Sequence, residues 1–372
     1  MGQNEKKEKT AARQSNLSRS NGSEAAIFRV LDASINRASE GLRVVESFTR
    51  MVLEDVSLSS QLKQLRHDLA NACGQISSVH RLQSRDSESD IGRDVQTDSE
   101  YQRENLNSIV RSNMSRVQQA TRTIEEYSKT LIPSVAKEVE QIRYRAYTLE
   151  KAIFNAAFNL SRFEKAHLYV LVDACGERSG FSKLSTLVSG LVEAGVDLIQ
   201  LRDKTLTDRE LVAAGKQIGN LTRDSKTLWV MNDRADLCVA AEADGVHIGQ
   251  DELSVHEARM ILRPNQFIGV STHSLQQAHQ AVVDGADYIG VGPVFESQTK
   301  CFDSFVGVDL VAAVVGQISL PAFAIGGINA SNLAKVVEAD CRRVAVSSAV
   351  CGASDPVAAA IELMNQLCET QA

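Results

Sequence analysis

From His167 onward the chain repeats one unit eight times: a short run rich in Val, Ile and Leu, followed by an amphipathic segment. The runs are His167–Asp173, Asp197–Asp203, Thr227–Asp233, Gly245–Gly249, Phe267–His273, Tyr288–Val294, Pro321–Ile328 and Arg342–Val350. Apolar residues follow one another in them without alternating in and out, which marks strands covered on both faces, as in a parallel sheet. The intervening segments carry helix start signals. Thr207 with Glu210 and Ser254 with Glu257 form capping boxes, and Asp355-Pro356 places proline at a first helical position. Eight such units predict a compact (β/α)₈ TIM barrel over residues 166–372, with a doubly wound sheet as the structural alternative. The barrel is favoured because polar residues gather at the end of nearly every strand.

Those ends carry the candidate chemistry. The second strand closes on Gln200-Leu201-Arg202-Asp203-Lys204, and strand alternation sets Gln200, Arg202 and Lys204 on one side. An amide and two cations at one mouth suit a polyanion joined to a hydrogen-bonding heterocycle. The third strand ends in Asn232-Asp233, and the fourth exits through His247-Ile248-Gly249-Gln250-Asp251-Glu252. Carboxylates on neighbouring strand ends, with few soft ligands nearby, suggest Mg²⁺ bridging a diphosphate. The fifth supplies Ser271 and His273, the seventh Gly326-Gly327, and the eighth Ser347-Ser348. In the sixth, Gly285–Lys300 runs from a helix-to-strand turn into a loop holding Ser297, Thr299 and Lys300. Small hydroxyls and backbone N–H groups can wrap one phosphate while a lysine neutralises another. Taken singly, each feature has a plain structural reading. His247 reads as a hydrogen-bonded core histidine, Asp251 and Glu252 as a solvated loop, and Asp236 and Asp244 as helix or turn residues. The joint pattern at one end of the barrel is what points to a site.

The first part of the chain has a different grammar. Apolar or small residues at Ile27, Val30, Leu31, Ile35, Ala38, Leu42, Val45, Phe48 and Val52 fall at helical spacing, and similar stripes follow at Leu62–Cys73, Leu106–Tyr127 and Val135–Phe158. Residues 34–48 align with 113–127, matching Arg37 to Arg116, Arg43 to Arg122 and Glu46 to Glu125. Each copy precedes a helix carrying Leu65-Arg66-His67 or Ile142-Arg143-Tyr144, so two related hairpins predict an all-α helical-hairpin domain over 25–160. The plain reading of its Arg and Glu positions is intrahelical ion pairing. The functional one has Arg37, Arg43, Arg66, His67, Arg116 and Arg122 converging on a phosphorylated ligand. Residues 81–103 read as a long exposed connection, and the polar segment 1–24 as a disordered tail.

Bulk properties narrow the partners. A net charge of −7 and a pI near 5.6 argue against a nucleic-acid or membrane-surface binder. Seven scattered cysteines without a CxxC pair read as reduced thiols in the cytoplasm. Assembly into a homo-oligomer is left open.

Residues 166–368 resemble thiamine phosphate synthases. They carry Gln-x-Arg-x-Lys, Asn-Asp, Asp-Gly-Val-His-x-Gly-Gln, Gly-x-Ser-x-His, Gly-Ala-Asp-Tyr-x-Gly-x-Gly-Pro-x-Phe, Thr-Lys and Ile-Gly-Gly-Ile in that order. The resemblance implies coupling of hydroxymethylpyrimidine diphosphate to a thiazole phosphate with release of pyrophosphate. It implies that Gln200 contacts the pyrimidine and that Arg202, Lys204, Asn232, Ser271 and Lys300 surround its diphosphate, with Arg202, Lys204 and Lys300 stabilising the leaving group. Asp233 and Glu252 would hold Mg²⁺, and Ser297, Thr299, Gly327, Ser347 and Ser348 the thiazole phosphate. Glu252 stands where that family usually has Asp, Ser297 where it has Thr, and Glu296 where it has Pro. Residues 25–160 resemble the helical domain found ahead of such synthases in some bacteria. Asn36-Arg37-Ala38, Glu40–Val44, Arg66-His67 and Glu125-Glu126-Tyr127 match its phrases, while Gln119 and Thr121 depart. This implies a hydroxymethylpyrimidine phosphate kinase using ATP, or a structural module; the sequence holds no P-loop.

Two rivals remain at this level. A thiazole tautomerase would not need Arg202, Lys204, Asp233 and Lys300. A non-catalytic sensor of phosphorylated vitamin precursors would not need paired carboxylates.

Overall fold

A computed structural model describes residues 2–86, 102–177, 180–296 and 305–369, with side chains from 23 to 368. The chain divides into two compact units, residues 1–52 with 58–151 and residues 53–57 with 152–372.

The first unit is helical. It comprises α1 (Gly2–Met51), α2 (Val56–Gly74, whose first two residues belong to the second unit), α3 (Ser78–Gln83), α4 (Leu106–Ser128) and most of α5 (Pro133–Arg162). The α1 helix runs back through the segment expected to be a disordered tail. That segment has no proline to interrupt it, and residues 3–14 are rich in Lys, Glu, Gln and Ala, all good helix formers. The expected stripe is buried from Leu31 through Ala38, Leu42 and Val45 to Phe48, against an equivalent stripe at Val110, Met114, Val117 and Ile124 of α4. The backbones of α1 and α4 approach closely at Gly41, where a Cβ would stand 2.8 Å from Val117 Cγ2 and 3.0 Å from the Asn113 carbonyl oxygen. Most of the connection expected at 81–103 lies at 87–101, outside the described residues.

The internal repeat has a structural counterpart. Glu46 of α1 accepts Arg66 Nε of α2 at 3.0 Å, and the aligned Glu125 of α4 accepts Arg143 Nε of α5 at 3.0 Å. The expected intrahelical pairing holds for Arg122, which binds Glu125 and Glu126, each at 2.7 Å. For Glu46 the partner lies on the next helix. Arg37, Arg43, His67 and Arg116 are exposed.

The second unit is a closed barrel whose strands pair in sequence order, each parallel to its neighbours. They are β1 (Leu168–Val172), β2 (Leu198–Leu201), β3 (Leu228–Asn232), β4 (Gly245–Ile248), β5 (Phe267–Thr272), β6 (Tyr288–Val291), β7 (Ala322–Ile325) and β8 (Val344–Val346). Each falls within one of the eight apolar runs. Around them lie α6 (Ser182–Ala194), α7 (Asp208–Thr222), α8 (Ala235–Ala240), α9 (Val255–Ile261), α10 (Leu275–Asp284), α11 (Gly307–Val315), α12 (Leu333–Glu338), α13 (Ser348–Cys351) and α14 (Pro356–Glu369). Both capping boxes form, at Thr207/Glu210 and Ser254/Glu257, and Asp355 caps α14 by accepting from Ala358 N at 3.0 Å.

The barrel interior is aromatic. Tyr169, Phe267, Tyr288 and Phe323 meet in it with Phe163, which α5 delivers from below the strands. Asn159 of the same helix donates to Asp287 Oδ1 at 2.8 Å. These contacts explain why residues 152–162 belong to the barrel unit, so the division falls at 151/152 and not at the expected 160–166. Residues 53–57 belong to it as well, because Asp55 Oδ2 accepts Ser319 N and Oγ at 2.9 Å.

Candidate active site

A cavity of about 440 Å³ opens at the carboxyl end of the strands. Gln200, Arg202, Asn232, Asp233, Glu252, Ser271, Gly327, Ser347 and Ser348 all line it, although they come from six different strand ends. Parallel strands closed into a barrel point all their carboxyl ends to one face, which is what gathers residues so distant in sequence.

Gln200 sits on β2 with 2% of its surface exposed and gives its Nε2 hydrogen to Tyr169 Oη. Arg202 follows, its backbone N–H fixed on Val172 O at 2.8 Å. Lys204 does not share that lining. The strand ends at Leu201, so alternation no longer governs position 204, and the lysine is exposed beyond the rim. Between them Asp203 braces the loop, accepting from Ala174 N, Thr205 N, Thr205 Oγ1 and Leu206 N. Burial raises its pKa, but these bonds outweigh it and hold the carboxyl below its usual value.

Asp233 stands just past β3 with φ 61°, left-handed for a residue that is not glycine. Arg234 N reaches back to Asn232 O at 2.7 Å, closing a three-residue turn around it, while Asp233 N donates to His247 O at 2.7 Å. Such strain persists only where the surroundings enforce it. Burial first, then the like charge of Glu252, push the Asp233 carboxyl above its ordinary pKa; Asn232, Lys204 and Arg202 pull it down. Asp233 and Glu252 therefore share one electrostatic environment. Among the described residues no group of three or more His, Cys, Asp or Glu side chains forms a metal cage.

His247 is 7% exposed and bonded at both ring nitrogens, Nδ1 to Tyr288 Oη and Nε2 to Ser271 Oγ, each at 2.9 Å. Burial drives its pKa down to about 4, so the imidazole is neutral at neutral pH. This is the bonded core histidine expected, not a free base. The Gln250 side chain pins Ser271 by donating to its carbonyl at 2.6 Å. Sequence reasoning missed Tyr169 and Tyr288, whose hydroxyls lie 3.0 Å apart inside the barrel. The only available signal was a tyrosine within each of two otherwise aliphatic strands.

After β7, Gly326 and Gly327 adopt φ 104° and 65°. A Cβ on Gly327 would stand 2.2 Å from Glu296 O, so this turn requires glycine. Ser347 gives its hydroxyl hydrogen to Leu171 O at 3.1 Å. Ser297, Thr299 and Lys300 lie outside the described residues. Asp236 pairs with Arg234 at 2.7 Å and Asp244 accepts Trp229 N at 2.8 Å, both structural roles.

Comparison with known proteins agrees with this geometry. Residues 168–350 match the family model for thiamine monophosphate synthase, and residues 29–152 match the model of the ThiD2 family. The thiamine-phosphate synthase of Rhodopirellula baltica is 41% identical over 89% of this chain and 90% of its own. The chain belongs to the thiamine-phosphate synthase family. The thiamine-phosphate synthase of a Synechocystis species is 36% identical over 93% of this chain and 97% of its own, so relatives share both units. Among solved structures, thiamine phosphate pyrophosphorylase from Pyrococcus furiosus aligns with a TM-score of 0.51 at 33% identity, covering 57% of this chain and all of that one. The chain is thus a transferase of thiamine biosynthesis, joining hydroxymethylpyrimidine diphosphate to thiazole phosphate with release of pyrophosphate. No helix of the described residues is long and apolar enough to cross a membrane.

Proposed function

We propose that the mouth of the barrel divides its residues between the two phosphorylated substrates. Gln200 reads the pyrimidine, and Arg202, Asn232, Ser271 and Lys300 surround its diphosphate, with the exposed Lys204, whose charge is felt at Asp233, reaching it from the rim. Ser297, Thr299, Gly327 and the backbone of Ser347 and Ser348 take the thiazole phosphate. The observation that carries this reading is the single cavity onto which Gln200, Arg202, Asn232, Ser271 and Gly327 all open.

Asp233 and Glu252 fit a Mg²⁺ site, because the Asp233 carboxyl, pushed up by burial and by the like charge of Glu252, is relieved by a cation, and magnesium needs few protein ligands beside phosphates. When bound, Mg²⁺ would neutralise charge on the departing pyrophosphate. Arg202, Lys204 and Lys300 stabilise the same developing charge from the protein side. The aminopyrimidine ring shares the positive charge left on its methylene carbon, and the thiazole nitrogen attacks there. No protein nucleophile is required. Replacing Arg202 or Lys300 with Ala is expected to lower turnover by about 10²–10³. Near-normal turnover would remove that residue from the mechanism.

For the helical unit, the match to the ThiD2 family over residues 29–152 supports hydroxymethylpyrimidine phosphate kinase activity with ATP. The whole protein, given the pyrimidine monophosphate, ATP and thiazole phosphate, should yield thiamine phosphate by mass spectrometry. Absence of the pyrimidine diphosphate would leave this unit a structural module. Scattered free cysteines support a cytoplasmic setting.

A further inference from the structure

Gln200 on β2 and Ser271 on β5 open on the same cavity and are joined by an unbroken run of hydrogen bonds. Gln200 Nε2 meets Tyr169 Oη, Tyr169 Oη lies 3.0 Å from Tyr288 Oη, Tyr288 Oη lies 2.9 Å from His247 Nδ1, and His247 Nε2 lies 2.9 Å from Ser271 Oγ. Each phenol has one proton to give, and a neutral imidazole has one. With each of those protons kept within the run, so that no buried donor goes unpaired, the bonds all run one way or all run the other.

In the first polarity, Gln200 donates to Tyr169, Tyr169 to Tyr288, Tyr288 to His247 Nδ1, and His247 Nε2–H to Ser271. The Ser271 proton is then free for the cavity. In the second, every bond is reversed, Ser271 spends its proton on His247, and Gln200 presents its NH₂ to the ligand. One observation and one requirement of the proposed substrate select the first. The Gln200 amide turns Nε2 toward Tyr169, which leaves Oε1 as its remaining group. A diphosphate, whose oxygens only accept at neutral pH, requires a donor at Ser271. That requirement rests on the substrate assignment proposed above.

We propose that Tyr169, Tyr288 and His247 are positioning residues that fix this polarity, so that Ser271 donates to the diphosphate while the Gln200 carbonyl selects a pyrimidine bearing an exocyclic amine. The two ends of one substrate are thus read by a single relay. Its polarity links the amine at one end to the anion at the other. An analogue with a carbonyl in place of the amine faces oxygen with oxygen at Gln200, and reversing the relay to accept it withdraws the proton from the diphosphate. The fold makes room for the relay at Gly269, where a Cβ would stand 2.4 Å from Tyr288 Oη.

The test uses the full-length protein labelled with ¹⁵N-histidine, with the His247 signals assigned through His247→Gln. His247 should carry its proton on Nε2 both alone and with pyrophosphate bound. Protonation on Nδ1 with pyrophosphate bound overturns the proposal. A second measurement compares kcat/KM for the aminopyrimidine diphosphate with that for its carbonyl analogue. The unsubstituted protein should favour the amine by roughly 10⁴, and Tyr288→Phe and Tyr169→Phe should each lose about 100-fold of that ratio with unchanged circular dichroism. An undiminished ratio in both variants overturns the relay. Should either variant fail to fold, the tautomer measurement decides alone. Gln200→Ala separates the two layers of inference: an unchanged KM for the pyrimidine diphosphate there sinks the substrate assignment, whatever the tautomer.

Discussion

The Arg143 guanidinium of α5 meets the Glu125 carboxylate of α4 at 3.0 Å, with side chains only 10% and 4% exposed. Its counterpart in the other half of the repeat, Arg66 with Glu46, has the same length but is 22% and 18% exposed. Arg143→Ala removes the buried hydrogen bond to Glu125 Oε2, although Arg122 stays on Oε1 at 2.7 Å, whereas a pair nearer water is worth little. Arg143→Ala should therefore cost about 1.5–3 kcal/mol and Arg66→Ala about 1 kcal/mol or less. The only tryptophan, Trp229, lies in β3, so its fluorescence follows the barrel alone while far-UV ellipticity follows the helices of both units. Urea melts should show Arg143→Ala shifting the ellipticity transition with little change in fluorescence. Equal costs for the two variants would show that burial does not distinguish them.

Gly269 faces the Tyr288 ring so closely that a Cβ would stand 2.0 Å from Cζ. Both atoms sit in the packed barrel interior, where neither backbone nor ring can move freely. Gly269→Ala should destabilise the barrel by about 1–3 kcal/mol and lower coupling activity. The readout is the Trp229 fluorescence transition, which would stay in place if the ring could turn aside.

Asp244 bears on pH dependence. Burial raises its pKa above the ordinary 3.8, against the opposing pull of Trp229 N and Arg162. The folded protein thus holds a proton that the unfolded chain has already released. That contribution to stability is complete below the ordinary value and is lost as pH rises through the raised folded pKa. Asp244→Asn keeps an oxygen for Trp229 N and removes the titration. Its melting temperature relative to the unsubstituted protein should rise as pH climbs from about 4 through the raised folded pKa. A difference independent of pH would count against a raised folded pKa.

Glu252→Gln removes one of the two carboxylates assigned to Mg²⁺ while keeping its length. The Mg²⁺ concentration for half-maximal coupling should rise by about tenfold or more, with thermal stability preserved. An unchanged Mg²⁺ titration would leave Asp233 without Glu252 as its partner.

Much of the barrel was legible because its signals are local. Each β-strand needs only its own run of Val, Ile and Leu, and Thr207 caps with Glu210 three residues on. The helical repeat was legible for the same reason, since Glu46 and Glu125 recur at one spacing within matching phrases. A local rule fails where its element stops. Strand alternation would set Lys204 beside Arg202, but β2 ends at Leu201, and helical spacing runs on through residues 152–162, where Asn159 already bonds the barrel residue Asp287.

The sequence alone determined the eight strand–helix units, the helical repeat and the polar strand ends, because each depends on neighbours within a few residues. Tertiary structure alone decided what happens between those ends. The relay from Gln200 to Ser271 draws on β1, β2, β4, β5 and β6, whose residues are up to 119 positions apart in any one bond. Only barrel closure brings them within hydrogen-bond reach. A tyrosine in an aliphatic strand reads as packing until the partner for its hydroxyl is in place.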